Sequence, residues 1–310
     1  MNSQQPIIDF DGEAPRAHDA VIMREGDDFY LFSTGRGVSV RRSTNFQHWG
    51  SRESVLSEPP AWCEQLVPGN RGFFWAPDIA FFGGRWHLYY SVSTFGSNRS
   101  AIGLATNVTL DSQHSNYEWR DEGMVCQSHR EDGWNAIDPN VLFDAQGRLW
   151  MALGSFWDGI KLRRLDEITG KLSDEDTTLH SLARRPRTPE IQGSVEAPFI
   201  VRRGEFYILF VSFDFCCRGV DSTYNIRVGR ARDITGPYLD RDGTALLEGG
   251  GTLVRQSDAR WRGPGHNSVF HDRNGADWLI YHAYDAENGG ASRLRVEKLG
   301  WDEDGWPFVA

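Results

Sequence analysis

A polar or aromatic residue followed by a short apolar strand recurs five times along this chain of 310 residues. Each copy then turns into a second strand rich in aromatic residues, and successive copies are separated by about 60 residues, a period typical of repeat folds. Five such units, each with a hairpin and further strands, indicate a propeller of four-stranded blades. We therefore predict an all-β fold, a five-bladed β-propeller. The copies begin at Asp19, Trp75, Asp138, Glu196 and His266.

The rest of the chain is consistent with this prediction. Helical periodicity is nearly absent, and Gly, Asp and Asn turn signals separate the apolar runs. A β-sandwich with hairpins repeated by chance is the alternative, but five regular copies are excessive for a sandwich. Residues 1–310 contain no linker, low-complexity segment or shift in composition, so we predict a single domain. The last segment, WDEDGWPFV at 301–309, is predicted to supply a strand that closes the ring.

Charge and hydropathy exclude several classes of partner. Acidic residues outnumber basic ones by 43 to 33, which gives a formal net charge of −10. Such a balance disfavours nucleic acid and anionic membrane surfaces and suits a neutral substrate. No apolar run approaches the roughly 18 residues that a membrane helix needs. The sequence makes no prediction of the oligomeric state.

The sequence leaves both a cytoplasmic and an extracellular location open. The N-terminal residues show neither the basic nor the apolar region of a secretory signal, so the chain as it stands is expected to be cytoplasmic. If a signal has been removed, an extracellular location is expected. The four cysteines lack zinc-like spacing. Adjacent Cys216 and Cys217 could bond only as a strained vicinal ring, so we expect free thiols.

The repeat predicts where the chemistry lies. The innermost strand of each propeller blade runs along the central channel, so residues at equivalent strand starts gather at one mouth of it. The five residues that begin the copies would bring three carboxyl groups, an indole and an imidazole into one funnel. A lone Asp or Glu at a strand start more often bonds a turn or a surface cation. Three at repeated positions favour glycoside hydrolysis, which needs an acid and a carboxylate.

At these same residues the sequence resembles glycoside hydrolase family 43, and most closely its endo-α-1,5-L-arabinanases. The resemblance covers nearly the whole chain and implies a five-bladed propeller that hydrolyses arabinan or arabino-oligosaccharides with inversion of configuration. The segments that carry it are HDAVI at 18–22, FWAPDI at 74–79, YYSVSTFGSNRSAIGLAT at 89–106, NAIDPNV at 135–141, GSFWDGIKL at 154–162, EAPFIV at 196–201, FDFCCRGVDSTYNIRVGR at 213–230 and GPGHNSVF at 263–270.

The resemblance also implies roles for individual residues. Asp19 would be the general base, Glu196 the general acid, and Asp138 the carboxylate that orients the acid and raises its pKa by like-charge repulsion. His266 would help to hold a calcium ion, largely through waters. The chain departs from the family in having Ala20 where a proline usually follows the base, which relaxes the backbone there.

Other residues in the matching segments are expected to line the sugar-binding sites. Two alternatives to an endo-acting arabinanase remain at this level. An exo-acting arabinofuranosidase or β-xylosidase could use the same scaffold, and a non-catalytic carbohydrate-binding propeller would keep the aromatic residues without needing three acids. The residues expected to contact sugar are Trp75, Phe95, Ser100, Asn135, Ser155 and Phe156.

Overall fold

The computed structural model describes Ile8, Phe10 and residues 12–309. Helical structure is scarce in this part of the chain: the one α-helix there, α1, spans Ala61–Leu66. No helix among the described residues has the length and apolar character required to cross a membrane. Three short 3₁₀ turns complete the helical content and span Gly219–Asp221, Leu246–Glu248 and Ala286–Asn288.

β-Strands make up most of the described chain, as the alternation of apolar runs and turn signals predicts. In chain order they are β1 (Val21–Glu25), β2 (Asp28–Ser33), β3 (Gly35–Arg36), β4 (Ser39–Ser43), β5 (Glu53–Ser54), β6 (Phe73–Phe82), β7 (Arg85–Val92), β8 (Ser100–Asn107), β9 (Arg120–Ser128), β10 (Asn140–Phe143), β11 (Leu149–Leu153), β12 (Ile160–Arg164), β13 (His180–Ala183), β14 (Val195–Arg203), β15 (Phe206–Phe213), β16 (Asn225–Ala231), β17 (Thr252–Arg255), β18 (Trp261–His271), β19 (Asp277–Asp285), β20 (Ala291–Trp301) and β21 (Pro307–Val309).

These strands form five antiparallel sheets, one for each sequence repeat. The sheets are β1-β2-β4-β5, β3-β6-β7-β8-β9, β10-β11-β12-β13, β14-β15-β16-β17 and β18-β19-β20-β21. Their innermost strands contact one another in cyclic order, from β1 to β6, β10, β14 and β18 and back to β1. The prediction of an all-β, five-bladed propeller is therefore confirmed.

Aromatic and aliphatic side chains fill the spaces between neighbouring blades. Because successive side chains of a strand point to opposite faces, one strand serves two interfaces. In β7, fully buried Tyr90 packs toward the first blade, whereas Tyr89 packs toward the third. In β19, Ile280 faces the first blade and Leu279 faces the fourth. The abundance of aromatic residues thus follows largely from the wedge-shaped gaps between sheets.

The ring closes without exchanging a strand between its ends. The prediction that WDEDGWPFV closes it is wrong, because β21 pairs with β20 as the outermost strand of the fifth blade. Two N-terminal residues contact that blade through their main chain: the Ile8 N–H donates to the Val296 carbonyl over 3.0 Å, and the Leu294 N–H donates to the Pro15 carbonyl over 2.9 Å. Main-chain contacts of this kind need no particular side chains, so the sequence pattern did not reveal them.

Every blade has a non-glycine residue with positive φ in its innermost strand, at a shift of register, or just before that strand. L-residues avoid this region, at a cost of order 1–3 kcal/mol, so five equivalent cases mark a shared structural device. The residues and φ angles are Asp19 (56°), Ala76 (44°), Asp138 (58°), Ala197 (56°) and His266 (48°).

This device corrects the register of the sequence repeat. Ala76 and Ala197, rather than Trp75 and Glu196, are equivalent to the positive-φ residues of the other three blades. The register predicted from sequence was therefore wrong by one residue in two blades. The side chains still meet because both residues of such a turn can face the central cavity, as adjacent His18 and Asp19 do.

Each positive-φ residue is also clamped to the preceding blade through its backbone N–H. In four interfaces the acceptor is a side chain at the same position, in the last part of the preceding blade's second strand or just beyond it. Such bonds satisfy buried donors that the turn removes from the sheet ladder. The four donor–acceptor pairs are Asp19 with His282 Nδ1 (3.2 Å), Ala76 with Thr34 Oγ1 (2.9 Å), Asp138 with Ser91 Oγ (2.9 Å) and His266 with Ser212 Oγ (2.8 Å).

Candidate active site

One cavity of about 630 Å³ opens at the mouth of the ring, and residues from all five blades line it. The residues that begin the sequence repeats all reach it, as expected. The structure brings together nearly every residue predicted to act there. These are Asp19, Trp75, Phe95, Asn135, Asp138, Ser155, Phe156, Glu196 and His266.

Ser100 is the exception among the residues expected to contact sugar. It is fully buried, and its hydroxyl lies 2.7 Å from Ser93 Oγ. Ser93, not Ser100, lines the cavity. The expectation for Ser100 is therefore corrected: it supports the wall from behind, because β8 is separated from the central channel by β7 and the innermost strand β6 of the same sheet.

Asp19 is held as an anion by a group of histidines and a hydroxyl. His18 Nδ1 lies 2.7 Å and His266 Nδ1 lies 3.1 Å from its Oδ1, while Thr34 Oγ1 donates to Oδ2 over 2.5 Å. Burial alone would raise the pKa of Asp19, but the charges of His18 and His266 outweigh it and hold that pKa well below its usual range. Asp19 is thus a buried carboxylate ready to accept a proton.

His18 and Tyr284 extend this arrangement and were missed in the sequence. The His18 ring stacks on buried His282 with a centroid distance of 3.7 Å, and its Nε2 lies 2.8 Å from the Tyr284 hydroxyl. Contacts with Asp19, His282 and Tyr284 therefore fix the His18 ring. Its position directly before the aspartate in HDAVI was the available signal, whereas Tyr284, in the last blade, gave none.

Glu196 occupies the opposite electrostatic environment. It is buried, Ser155 Oγ donates to its Oε2 over 2.5 Å, and the Tyr224 hydroxyl donates to its Oε1. Burial raises the pKa of Glu196, the charge of Asp19 adds to this effect, and the two hydroxyl donors oppose it. The raised pKa favours a protonated carboxyl group, as a general acid requires. Tyr224 lies directly before β16, outside the repeated motif, so the repeat gave no reason to select it.

Asp138 supplies the fifth clamp and thereby supports the backbone beside Glu196. The Ala197 N–H donates to Asp138 Oδ2 over 3.1 Å. The position that carries the acceptor in the other blades is here Gly154, whose φ is 127° and whose added Cβ would lie 2.5 Å from the Gly159 carbonyl oxygen. No acceptor side chain fits at 154. The carboxylate of Asp138 takes its place and sets the turn that follows Glu196.

The electrostatics of Asp138 are linked to those of its neighbours. Burial raises the pKa of Asp138 to about 8; His266 opposes this shift, and the charges of Glu196 and Asp19 add to it. Asp138 and Glu196 are neighbours with raised pKa values, so this pair retains a proton at higher pH than one exposed carboxyl group would.

A cation beside His266 would not find a cage of protein ligands in the described structure. Burial would lower the pKa of His266, but the charges of Asp19 and Asp138 outweigh it and raise that pKa to about 9. None of the groups of three or more possible ligand residues found among the described residues includes His266. Next to it, buried Asn267 has no hydrogen-bond partner for either amide atom in the described structure, which suits bound water.

Flat aromatic faces line the cavity on two sides. Trp75 and Phe95 lie 5.0 Å apart between ring centroids, and Phe95 is 82% exposed. Phe156 and Phe215 form a second pair at 6.1 Å. The buried Oδ1 of Asn135 has no partner among the described residues and can accept a hydrogen bond from a bound hydroxyl. The cavity thus combines stacking surfaces with a free acceptor.

Cys216 and Cys217 form a vicinal disulfide at the rim of this cavity. The expectation of free thiols is wrong. Cys217 has a φ of 66°, and this turn brings the two adjacent side chains to the same side. The Cys217 N–H donates to the Tyr284 hydroxyl over 2.8 Å, which links the disulfide loop to His18. The other two cysteines, Cys63 and Cys126, are buried and free.

Comparison with known proteins agrees with this geometry. The sequence model described as "Glycosyl hydrolases family 43" matches residues 5–307. An extracellular exo-α-(1→5)-L-arabinofuranosidase of Cellvibrio japonicus and an extracellular endo-α-(1→5)-L-arabinanase of Bacillus subtilis are each 43% identical, over 94% of this chain and 86% of their own length. The solved structure of Cellvibrio cellulosa α-L-arabinanase with arabinohexaose is 41% identical, with a TM-score of 0.91 over 96% of each chain.

Proposed function

The chain belongs to glycosyl hydrolase family 43, and from this membership we propose that it cleaves internal α-1,5-L-arabinofuranosidic bonds of arabinan with inversion. One observation carries the proposal: a single cavity holds a carboxylate of depressed pKa, Asp19, and a carboxyl group of raised pKa, Glu196. Opposite shifts of this kind separate a base from an acid. A carbohydrate-binding propeller would need neither, which argues against the non-catalytic alternative.

The reaction follows from these two environments. Asp19 accepts a proton from a water molecule as the water attacks the anomeric carbon. Glu196 donates its proton to the leaving oxygen, so the bond breaks without forming an alkoxide. Asp138 holds the Ala197 N–H and so keeps the acid in place. Because water attacks directly from the face opposite the leaving group, the configuration inverts.

The substrate class is supported by the cavity and by the relatives. Furanose rings present apolar faces that can stack on Trp75 and Phe95, and hydroxyl groups that Asn135 Oδ1 can bind. The structure of a related α-L-arabinanase was solved in complex with arabinohexaose. Because one similar relative acts from chain ends, an exo mode is the second candidate.

We expect linear arabinan to lose viscosity well before most of its bonds are cut, because internal cleavage shortens chains quickly. Viscosity and reducing ends, followed together, test this expectation. Release of one product of fixed size from the start, with viscosity falling slowly, would establish the exo mode instead. NMR of the first-formed reducing end should show the β anomer. An α anomer would contradict inversion and with it the roles of both carboxyl groups.

We further propose that calcium binds near His266, with waters supplying most of its ligands, because Ca²⁺ prefers several hard oxygen atoms. Such an ion would stabilise the channel and align His266 with Asp19; no step of the reaction passes through it. We expect exhaustive chelation to lower the melting temperature and calcium to restore it, with metal analysis showing about one ion per chain. His266→Gln should weaken this dependence. A chelated protein with unchanged melting temperature and activity would contradict the proposal.

We also propose an extracellular site of action. Two relatives are named as extracellular enzymes. The disulfide between Cys216 and Cys217 is consistent with an oxidising compartment, where such bonds persist.

A further inference from the structure

The disulfide loop places two sulfur atoms next to an imidazole inside the cavity. A ring nitrogen of His18 and the two Sγ atoms of Cys216 and Cys217 all lie within 4.8 Å of one another, and the Cys217 Sγ is 3.8 Å from His18 Nε2. Cys217 is exposed and Cys216 is half-buried, so solvent reaches the group. We propose that reduction of this disulfide creates a site for a soft or borderline divalent cation such as Cd²⁺ or Zn²⁺.

The ligand chemistry supports such a cation. Two thiolates and one imidazole are a ligand set that zinc uses in proteins, with a fourth position left for water. Calcium and magnesium prefer oxygen and would not compete. A phosphine with water supplies the two electrons and two protons that convert the disulfide to two thiols and becomes the phosphine oxide. The cation then displaces two protons as both thiolates bind.

The surroundings of His18 complete the arrangement. A histidine that ligates a metal through one nitrogen usually donates its other N–H to a carboxylate, which orients the ring and strengthens the ligand. Here Nδ1 faces Asp19 Oδ1 at 2.7 Å while Nε2 faces the sulfur atoms. The stack on His282 holds the ring in that orientation. The hydrogen bond between Nε2 and the Tyr284 hydroxyl must break when a cation binds.

The site has a consequence for activity. A cation held by His18 and the two sulfurs sits in the cavity that also contains Asp19 and would obstruct the approach of substrate. In the oxidised protein the sulfur atoms are bonded to each other and cannot act as thiolates. The disulfide therefore protects the base from inhibition by thiophilic metals.

The test uses the whole protein, reduced with a phosphine and then freed of it, with Cd²⁺ as the probe. We expect a thiolate-to-cadmium charge-transfer band that saturates at one ion per chain, and initial rates on arabinan that fall in parallel. Untreated protein should show neither effect. A band of equal strength without reduction, or none after reduction, would overturn the proposal.

The matched control is the double variant Cys216→Ser, Cys217→Ser, which keeps the two buried thiols Cys63 and Cys126. It should show no band after reduction, and the single variant Cys217→Ser should bind much more weakly. A band retained in the double variant would assign binding to the other cysteines. Loss of activity to Cd²⁺ without any band would instead indicate the nearby His18, Asp19 and His282 group, and would equally overturn the proposal.

The variant Asp19→Asn tests whether Asp19 orients the ligand His18 without binding the cation itself. It removes the carboxylate that His18 Nδ1 contacts but leaves all three ligands, so we expect cadmium affinity to fall about 10–100-fold with the band retained. This measurement does not depend on catalysis. An unchanged affinity would remove Asp19 from the site while leaving the cysteine result to decide the proposal itself.

Discussion

Asp19→Asn should lower kcat on arabinan by a factor of the order of 10²–10⁴, the loss typical when a general base is removed. The amide is nearly isosteric and can still accept the Thr34 hydroxyl, but it cannot take a proton from water. The loss should be the same for an activated aryl arabinoside, because water must be activated whatever the leaving group. Steady-state kinetics on both substrates test this, with the melting temperature as the check on folding.

Glu196→Gln is the matched comparison for that variant. It should lose a similar factor on arabinan, since the leaving oxygen is no longer protonated, but recover much of the rate on the activated aryl arabinoside. Ser155 and Tyr224 can still contact the amide, so the fold should be preserved. If the two variants showed the same dependence on the leaving group, the separate roles of base and acid would be wrong.

Asp138→Asn should reduce turnover by the order of 10²–10⁴ and move the alkaline limb of the pH–activity profile to lower pH. The alkaline limb reports deprotonation of the acid. Ionising both Asp138 and Glu196 would place two negative charges side by side, so the pair retains a proton to higher pH than one carboxyl group alone. An amide at position 138 removes this repulsion, so the pKa of Glu196 falls and the acid loses its proton at lower pH. Because burial is the largest cause of the raised pKa of Glu196, the limb should move without reaching the position of an exposed glutamate.

Two further measurements separate this catalytic role of Asp138 from its structural one. An activated aryl arabinoside should recover much of the rate of Asp138→Asn, because little protonation is then needed. Asp138→Ala also removes the acceptor of the Ala197 N–H and should lower the free energy of unfolding by about 1–3 kcal/mol. An Asn variant that melted earlier but kept its pH profile would remove Asp138 from the mechanism.

The fold could be predicted because its cause is periodic in the sequence. Each blade repeats the same turn and hairpin, so five copies of the repeat predicted five sheets around one shared cavity. The register could not be predicted to the residue. Positive φ is recognisable in sequence mainly through glycine, and the five residues that adopt it here are two aspartates, two alanines and a histidine.

The residues that shift the pKa values of the carboxyl groups could not be predicted from the sequence, for a different reason. Tyr224 and Tyr284 reach the cavity from positions outside the repeated motif, and they contact Glu196, in β14, and His18, just before β1. Their effect depends on distances that only the folded ring sets. The disulfide was missed because its formation depends on a local turn at Cys217 rather than on cysteine spacing.

The clamp between Asp19 and His282 has a consequence for the order of assembly. Asp19 lies in the first blade to be synthesised, yet the acceptor of its N–H belongs to the last blade. The earlier blades can pack in sequence as they emerge, since each depends on the blade before it. The clamp on Asp19, by contrast, can form only after the fifth blade has been made. We therefore expect activity to appear only when the first and fifth blades have docked against each other.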